Sequence, residues 1–468
     1  MFLRLWHLET QSLTMDEVAE LRLAATSVPE IVRYGDGFPP LFSLLVHWWM
    51  QVPGAEQAPR VFVALIGILG LPLMWLLGRE LGGEKLGLLA AFLLAISPIH
   101  VWYSQDLRAY GLYFLTVILA GWRYAVARRT EQRRDWLLYA LAAAFGLCIH
   151  YYFALFIAGL VAIDLLEPGV PGRIRRTVSR HWPVALAGLA LLPLLIPDIQ
   201  AQASFAMLER PLDLSALFYT LFTWLAGFSL GPSLRELHTI SSREAIREVL
   251  WWAVPIGLAT GYLLLRGLRD PAQRRTWLAL ALVAGLPLLI CAVLGGVLGL
   301  SYRPRYVAWG AVPVLLLLAT GAMRAGRGGT LAVGMLAAIS VVAHVNRHTG
   351  ERYINEDARG LAREIERQVE PGEPVFVVSG YMGEPLEHYL NPRWPLHPFG
   401  LAETTPNPAP ALGEMRRVVE PGRRFWLVYS RAFDGDPRGR ILDSLNTAAG
   451  LRVRSAVPGM ELYEGRGW

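Results

Sequence analysis

Only two cysteines, Cys148 and Cys291, occur in the 468 residues, and both lie inside apolar runs. They supply no disulfide framework and no zinc-type spacing. Lysine is rarer still, with Lys85 the single one among 44 basic residues. Several motifs are missing. There is no GxGxxG ahead of a helix, no Walker loop, no CxxC pair and no HExxH. Nucleotide binding and zincin chemistry therefore have no support. No internal repeat is present, and the one biased tract is the Pro-rich "TTPNPAPAL". The net charge of +6 does not indicate nucleic acid, because the arginines cluster in short links between apolar runs. That distribution is a signature of membrane topology.

What is abundant is apolar surface. Hydrophobic residues make up 54% of the chain, and 16 tryptophans often sit near the ends of apolar runs. A run of about 20 apolar residues matches the hydrocarbon core of a bilayer, and tryptophan anchors at its edges. Runs at 61–77, 86–101, 111–126, 136–149, 153–166, 183–196, 249–265, 277–298, 307–323 and 330–343 predict about ten crossings. The piece at 39–52 is short for a span and reads as a juxtamembrane or re-entrant helix. The piece at 214–230 lies in a long loop and reads as interfacial.

Four arginine clusters set the expected orientation. They hold Arg128, Arg129, Arg133 and Arg134; Arg173, Arg175, Arg176 and Arg180; Arg266, Arg269, Arg274 and Arg275; and Arg324 and Arg327. Ten crossings in order put all four on one side, which the positive-inside rule makes cytoplasmic. The other side then receives the N-terminal segment, the "SPIHVWYSQDLRAY" and "IHYY" turns, the loop at 197–248, the "GLSYRPRY" turn, and the chain after about Asn346. There the apolar runs shrink to strand length in "PVFVVSG", "RRFWLVYS" and "LRVRSAV". Residues 357–372 predict an amphipathic helix stopped by Pro371-Gly372. The domain reading is a transmembrane part at 1–348, whose residues 1–59 form a first extracytoplasmic loop with juxtamembrane helices. A soluble extracytoplasmic α/β domain follows at 349–468.

Polar residues far apart in sequence converge on that outer side. Charges at membrane depth are costly, about 2.5–3.5 kcal/mol at a helix centre on insertion scales, so their retention asks for a reason. Asp16 and Glu17 stand in "LTMDEVAEL", where Thr14 and Glu17 also have the spacing of a capping box. Asp106 and Arg108 lie between two spans, flanked by Tyr103 and Tyr110. An interfacial turn, with Asp106 starting the next helix, accounts for them equally well. Residues 136–166 number 31 and must cross twice. About 15 residues reach roughly 22 Å, short of the 30 Å core. The turn of His150, Tyr151 and Tyr152 is thus expected to be recessed, where it either lines a cavity or closes a tight hairpin. Arg303 and Arg305, beside Tyr302 and Tyr306, have the fork geometry that suits a phosphate, whether of a bilayer lipid or of a substrate.

At these residues the chain resembles the bacterial multispanning glycosyltransferases of the GT-C superfamily. The likeness is to the group related to protein O-mannosyltransferases and lipid A aminoarabinose transferase. "SLTMDEVAELRLA" is similar to their first acidic loop and "GFPPLFSLLVHWWMQVPG" to their Pro-Pro juxtamembrane helix. "LLAISPIHVWYSQDLRAYGL" is similar to their second acidic loop, and "HYYFAL" and "RYVAWGAVPVLLLLA" to later signatures. The resemblance implies a polytopic helical fold and a polyprenyl-phosphate-linked sugar donor, with inverting transfer outside the cytoplasmic membrane. It implies Asp16 as base, Glu17 as its neighbour and Asp106 as a second acid. Arg303 and Arg305 would hold phosphate, with Arg108, Tyr110, His150, Tyr151 and Tyr306 on the substrate. A divalent metal between such acids is left open by it. Members begin with a span leading to the acidic loop, whereas "MFLRLWHLETQSLTMDE" starts where that span would end. The implied choice is an upstream start or a lost first helix. The rival readings are a flippase or transporter of lipid-linked saccharides and a non-catalytic assembly protein. A transport pathway predicts charges deep inside spans, whereas the charges within these runs, Arg123 and Asp164, stand near the run ends.

Overall fold

The computed structural model describes the chain except for residues 34–36, 170, 206–213, 299–301 and 400–407; within helices, the side chains of 195, 197–205, 242 and 296–298 are also outside the description. The Pro-rich stretch at 404–412 and the start of the "GLSYRPRY" turn thus lie partly outside the described residues. Two compact units form. The first comprises Met1–Leu8, Leu23–Gly231 and Val249–Val345, and the second Glu9–Arg22, Pro232–Glu248 and Asn346–Trp468.

The first unit is helical because its runs are apolar all round, which only burial or lipid can satisfy. The long helices are α1 (Val61–Gly82), α2 (Glu84–Ile96), α3 (Tyr110–Thr130), α4 (Arg133–Leu147), α5 (Phe153–Leu166) and α6 (Arg173–Phe205). Then come α7 (Ser242–Leu268), α8 (Arg274–Leu298), α9 (Ala311–Arg324) and α10 (Gly326–Thr349). Each of the ten predicted runs falls largely on one of them, though the second overruns α2 onto the short helix Pro98–Tyr103 and the ninth begins in the 3-10 turn Pro304–Gly310. Among the described residues, six stretches are both long and apolar enough to cross a membrane: Val61–Gly82, Tyr110–Thr130, Arg243–Leu268, Arg274–Gly295, Pro304–Arg324 and Gly326–Thr349. Helices α2, α4 and α5 are shorter, at 13, 15 and 14 residues. The sixth helix continues to Phe205, past the expected loop start at 197. Its "QAQA" tail is made of good helix formers.

Small residues let these helices approach closely. Gly83, at φ 86°, turns the chain between α1 and α2. Below it a Cβ on Gly87 would stand 2.6 Å from the Trp75 carbonyl. Large apolar side chains such as Leu69, Leu88, Leu141 and Trp251 are exposed on the outer faces. Water would penalise so much apolar surface, and lipid accepts it. The helix Leu214–Ala226 buries Thr220, Phe222, Thr223 and Trp224. Thr220 is hydrogen-bonded to the Tyr302 hydroxyl at 2.8 Å.

The arginine clusters meet in pairs at helix ends. Asp164, buried on α5, accepts from Arg180 Nη1 at 2.7 Å and from the Tyr124 hydroxyl at 3.0 Å, and it faces His181 Nε2 at 3.0 Å. Arg128 adds an ion pair to Glu167 at 2.7 Å. Arg324 pairs with Asp270 at 2.7 Å, and Arg266 donates to the Arg324 carbonyl at 2.9 Å. These pairs bring the first and second clusters together, and likewise the third and fourth.

The second unit is built on a sheet ordered β2-β1-β3-β5-β4. Its strands are β1 (Val375–Val378), β2 (Leu396–Phe399), β3 (Arg424–Ser430), β4 (Arg452–Val457) and β5 (Met460–Arg466). The β1 strand is parallel to β2 and β3, while β5 is antiparallel to β3 and β4. Alternating side chains feed two cores, as the two-residue period requires. Val375, Val377, Trp426 and Val428 pack on one face, and Phe376, Val378, Phe425 and Leu427 on the other. The predicted helix is α11 (Ala358–Gln368), capped by Asp357, which accepts from the Gly360 N–H at 3.0 Å. Residues 9–22 join this unit through Ser12, which donates to Asp357 at 2.6 Å, and through the Leu13 N–H, which donates to the Tyr389 hydroxyl at 2.9 Å.

Candidate functional site

The acidic pair divides its labour at the start of the helix Met15–Ala24. Glu17 is buried, and its Oε2 accepts from the Thr14 N–H at 2.8 Å and from the Thr14 hydroxyl at 3.1 Å. The Glu17 N–H returns to the Thr14 hydroxyl at 3.3 Å. This is the reciprocal capping box expected from the spacing. Asp16 beside it is half-buried, in the first turn, where the helix dipole favours negative charge. Because glutamine also completes a capping box, Glu17→Gln is expected to keep the unfolding temperature near wild type. Glu17→Ala should lose about 1 kcal/mol. Thermal unfolding of the purified chain in detergent measures both.

In the first unit, the short helix Pro98–Tyr103 and the turn after it lead into α3. Proline at the first helical position suits the start at Pro98. The turn is anchored by the N-terminal residues. Buried Arg4 donates to the carbonyls of Leu94 and Ala95 at 3.1 Å each, and lies 2.7 Å from His100 Nδ1. Gln105 donates to the Leu3 and Trp6 carbonyls at 3.1 and 3.0 Å. In that turn Asp106 is half-buried and Arg108 buried. The Arg108 N–H donates to the Asp106 carbonyl at 2.7 Å. Burial holds the Tyr103 hydroxyl well above its usual range, and Tyr110, Arg305 and Asp106 all lie close enough to act on it.

The "HYY" turn joins α4 to α5, and His150 in it is buried. Its ring stacks on Tyr113 at 4.4 Å, and the Phe38 ring meets it edgewise at 5.1 Å. Tyr110, Tyr152 and Tyr306 complete the ring of aromatics, at 5.8, 5.8 and 6.0 Å. Two guanidiniums enter this cage. Arg108 lies over Phe38 at 5.2 Å, and Arg305 over Tyr306 and Tyr110 at 5.9 and 6.0 Å. Burial, with Arg305 and Arg108 nearby, pushes the His150 imidazole down to about 3. It stays neutral at any ordinary pH.

Asp106, Arg108, Tyr110, His150, Arg305 and Tyr306 therefore share one neighbourhood of the first unit. Arg303 is exposed and Tyr151 half-buried. Asp16 and Glu17 belong to the second unit. Phe38 and Tyr113 enter the cage without having been singled out from the sequence. An aromatic residue inside an apolar run carries no signal that separates a binding face from core. The cage lies at the Tyr110 end of α3 and the arginine-rich end lies some 20 residues on. At 1.5 Å per residue the two are separated by about 30 Å, one hydrocarbon thickness. Among the described residues, no group of three or more His, Cys, Asp or Glu side chains is placed to hold a metal ion.

Residues 38–199 match a family model described as dolichyl-phosphate-mannose-protein mannosyltransferase. The fold is similar to that of apo ArnT from Cupriavidus metallidurans, at 14% identity, with 99% of this chain and 95% of that one covered and a TM-score of 0.59. ArnT bound to undecaprenyl phosphate matches at 14% identity over 99% and 96% of the two chains, with a TM-score of 0.56. The oligosaccharyltransferase AglB from Archaeoglobus fulgidus, in complex with an inhibitory peptide and a dolichol-phosphate, matches at 13% identity and a TM-score of 0.56, over 96% of this chain and 70% of that one. A search of the curated proteins finds no match. The fold resemblance carried by the short motifs is borne out along nearly the whole chain.

Proposed function

We propose, from the GT-C membrane glycosyltransferase fold that this chain has, that it transfers a sugar from a polyprenyl-phosphate carrier to an acceptor outside the cytoplasmic membrane. The observation that carries this reading is the caged pair of guanidiniums, Arg108 and Arg305, at the end of α3 opposite the arginine-rich end. The positive-inside rule assigns the arginine-rich end to the cytoplasm, and so the cage to the other face. ArnT and AglB, which share the fold, have been seen with undecaprenyl phosphate and with a dolichol-phosphate.

The chemistry is an inverting displacement. The acceptor oxygen attacks the anomeric carbon, the bond from that carbon to the phosphate oxygen breaks, and the lipid phosphate leaves with the electron pair. Arg108 and Arg305 offset the charge growing on the leaving phosphate, as preorganised donors do. Asp106 orients the donor or acceptor beside them, and Tyr110 and Tyr306 supply faces for the sugar. Asp16 takes the acceptor proton, while Glu17 holds the helix start that presents it. The second unit serves the acceptor, since the segment bearing Asp16 is hydrogen-bonded within it. Comparative mass spectrometry of envelope glycolipids and glycoproteins, with and without the gene, tests the reading. A glycan that disappears supports it and identifies sugar and acceptor, whereas identical glycan profiles reject it.

A further inference from the structure

The Tyr152 backbone N–H donates to His150 Nδ1 at 3.1 Å. A neutral imidazole that accepts at one nitrogen carries its proton on the other, so Nε2 is the donor. Nε2 is buried and has no hydrogen-bond partner among the described residues. Native proteins leave few such groups unmet, and each one calls for an explanation. The ring is not placed to turn away, since Tyr113 stacks on it and Phe38 meets it edgewise. The charged groups facing it are the guanidiniums of Arg305 and Arg108, and the other titratable groups are the hydroxyls of Tyr110, Tyr113, Tyr152 and Tyr306. An N–H held in a fixed direction beside two guanidiniums is a receptor for an oxyanion.

We infer that His150 Nε2–H is a neutral third donor to the phosphate of the lipid carrier, working beside Arg108 and Arg305 as a positioning group. This rests on the reading that the site handles a polyprenyl phosphate. A neutral donor adds direction without adding charge. It fixes which phosphate oxygen faces the cage while leaving the hold on the departing phosphate weak enough for release.

The test is titration of the purified full-length chain with undecaprenyl phosphate, for wild type, His150→Phe and His150→Gln. Phenylalanine keeps the ring for stacking and removes the donor. Glutamine restores an N–H near the Nε2 position. The expected result is about a tenfold loss of affinity in His150→Phe and near recovery in His150→Gln, the scale of one hydrogen bond to a charged group. Equal binding by His150→Phe and wild type would overturn the inference, leaving Nε2–H to the face of a neighbouring ring. Equal losses in both variants would overturn it too, since the ring rather than the donor would then matter. No binding by wild type would reject the functional reading itself, so the two failures are distinguishable. Should His150→Phe not fold, ¹⁵N-histidine-labelled wild type replaces it. The Nε2–H resonance should shift when undecaprenyl phosphate is added, and an unmoved resonance defeats the inference.

Discussion

Asp16→Asn is expected to lower the rate of transfer by about 10²–10⁴-fold, the range supplied by a positioned general base. The substitution keeps size and shape and removes only the ability to take a proton. Asparagine is also well tolerated near helix starts, so the helix Met15–Ala24 should survive. The loss should fall on kcat, with the affinity for undecaprenyl phosphate unchanged, because in this account Asp16 meets the acceptor and not the carrier. The neighbouring carboxylate cannot substitute for it, since Glu17 Oε2 is taken by Thr14. Full transfer activity in Asp16→Asn membranes would remove Asp16 from the base role. In that case Asp106 becomes the first acid to replace.

Arg305→Ala is expected to weaken undecaprenyl phosphate binding and to cut kcat/KM by about 10²–10³-fold, the scale of losing one preorganised donor to developing charge. Arg305 stands between Tyr110 and Tyr306, and its charge reaches both His150 and Tyr103. Its removal therefore unmakes the cage as well as the charge. Arg305→Lys should recover only part of the loss, because an ammonium keeps the charge without the planar fork. Arg303→Ala is the internal control. Two residues away and exposed, it should change kcat/KM by less than about threefold, the size of a surface ion-pair effect. Equal losses in the two alanine variants would mean that the site is drawn around the wrong guanidinium. Radiolabelled-donor transfer assays across the four proteins give all of these ratios.

The membrane part of the fold was legible because lipid imposes one rule on every span, and each of the ten apolar runs lies largely on a helix. The C-terminal unit was legible where hydrophobicity concentrates, as in β1, β3 and the helix capped by Asp357. It was opaque at β2 and β5. The first is a four-residue edge strand containing Pro398, and the second interrupts its apolar residues with Glu461 and Glu464. Polar content of that kind reads as loop until the neighbouring strands are seen.

The site was legible in its polar members and hidden in its aromatic ones. Charges and histidines at span ends are expensive, so the sequence itself flags Asp106, Arg108, His150 and Arg305. Phe38 and Tyr113 cost nothing in an apolar setting, and only their ring contacts with His150 mark them. The difference between Arg303 and Arg305 also needed coordinates. Arg303 is extended at φ −127°, and the 3-10 turn Pro304–Gly310 begins just after it. The Arg305 guanidinium lies over the Tyr110 and Tyr306 rings.

The central claim is that the acids and the guanidiniums work on the same face of the membrane. Its most direct test is labelling of intact cells with a membrane-impermeant maleimide. Single cysteines at positions 16, 106 and 129 are placed in a background with Cys148 and Cys291 replaced. Positions 16 and 106 are expected to label from outside, and position 129 only after the cells are opened. Labelling of 16 and 106 from opposite sides would contradict it.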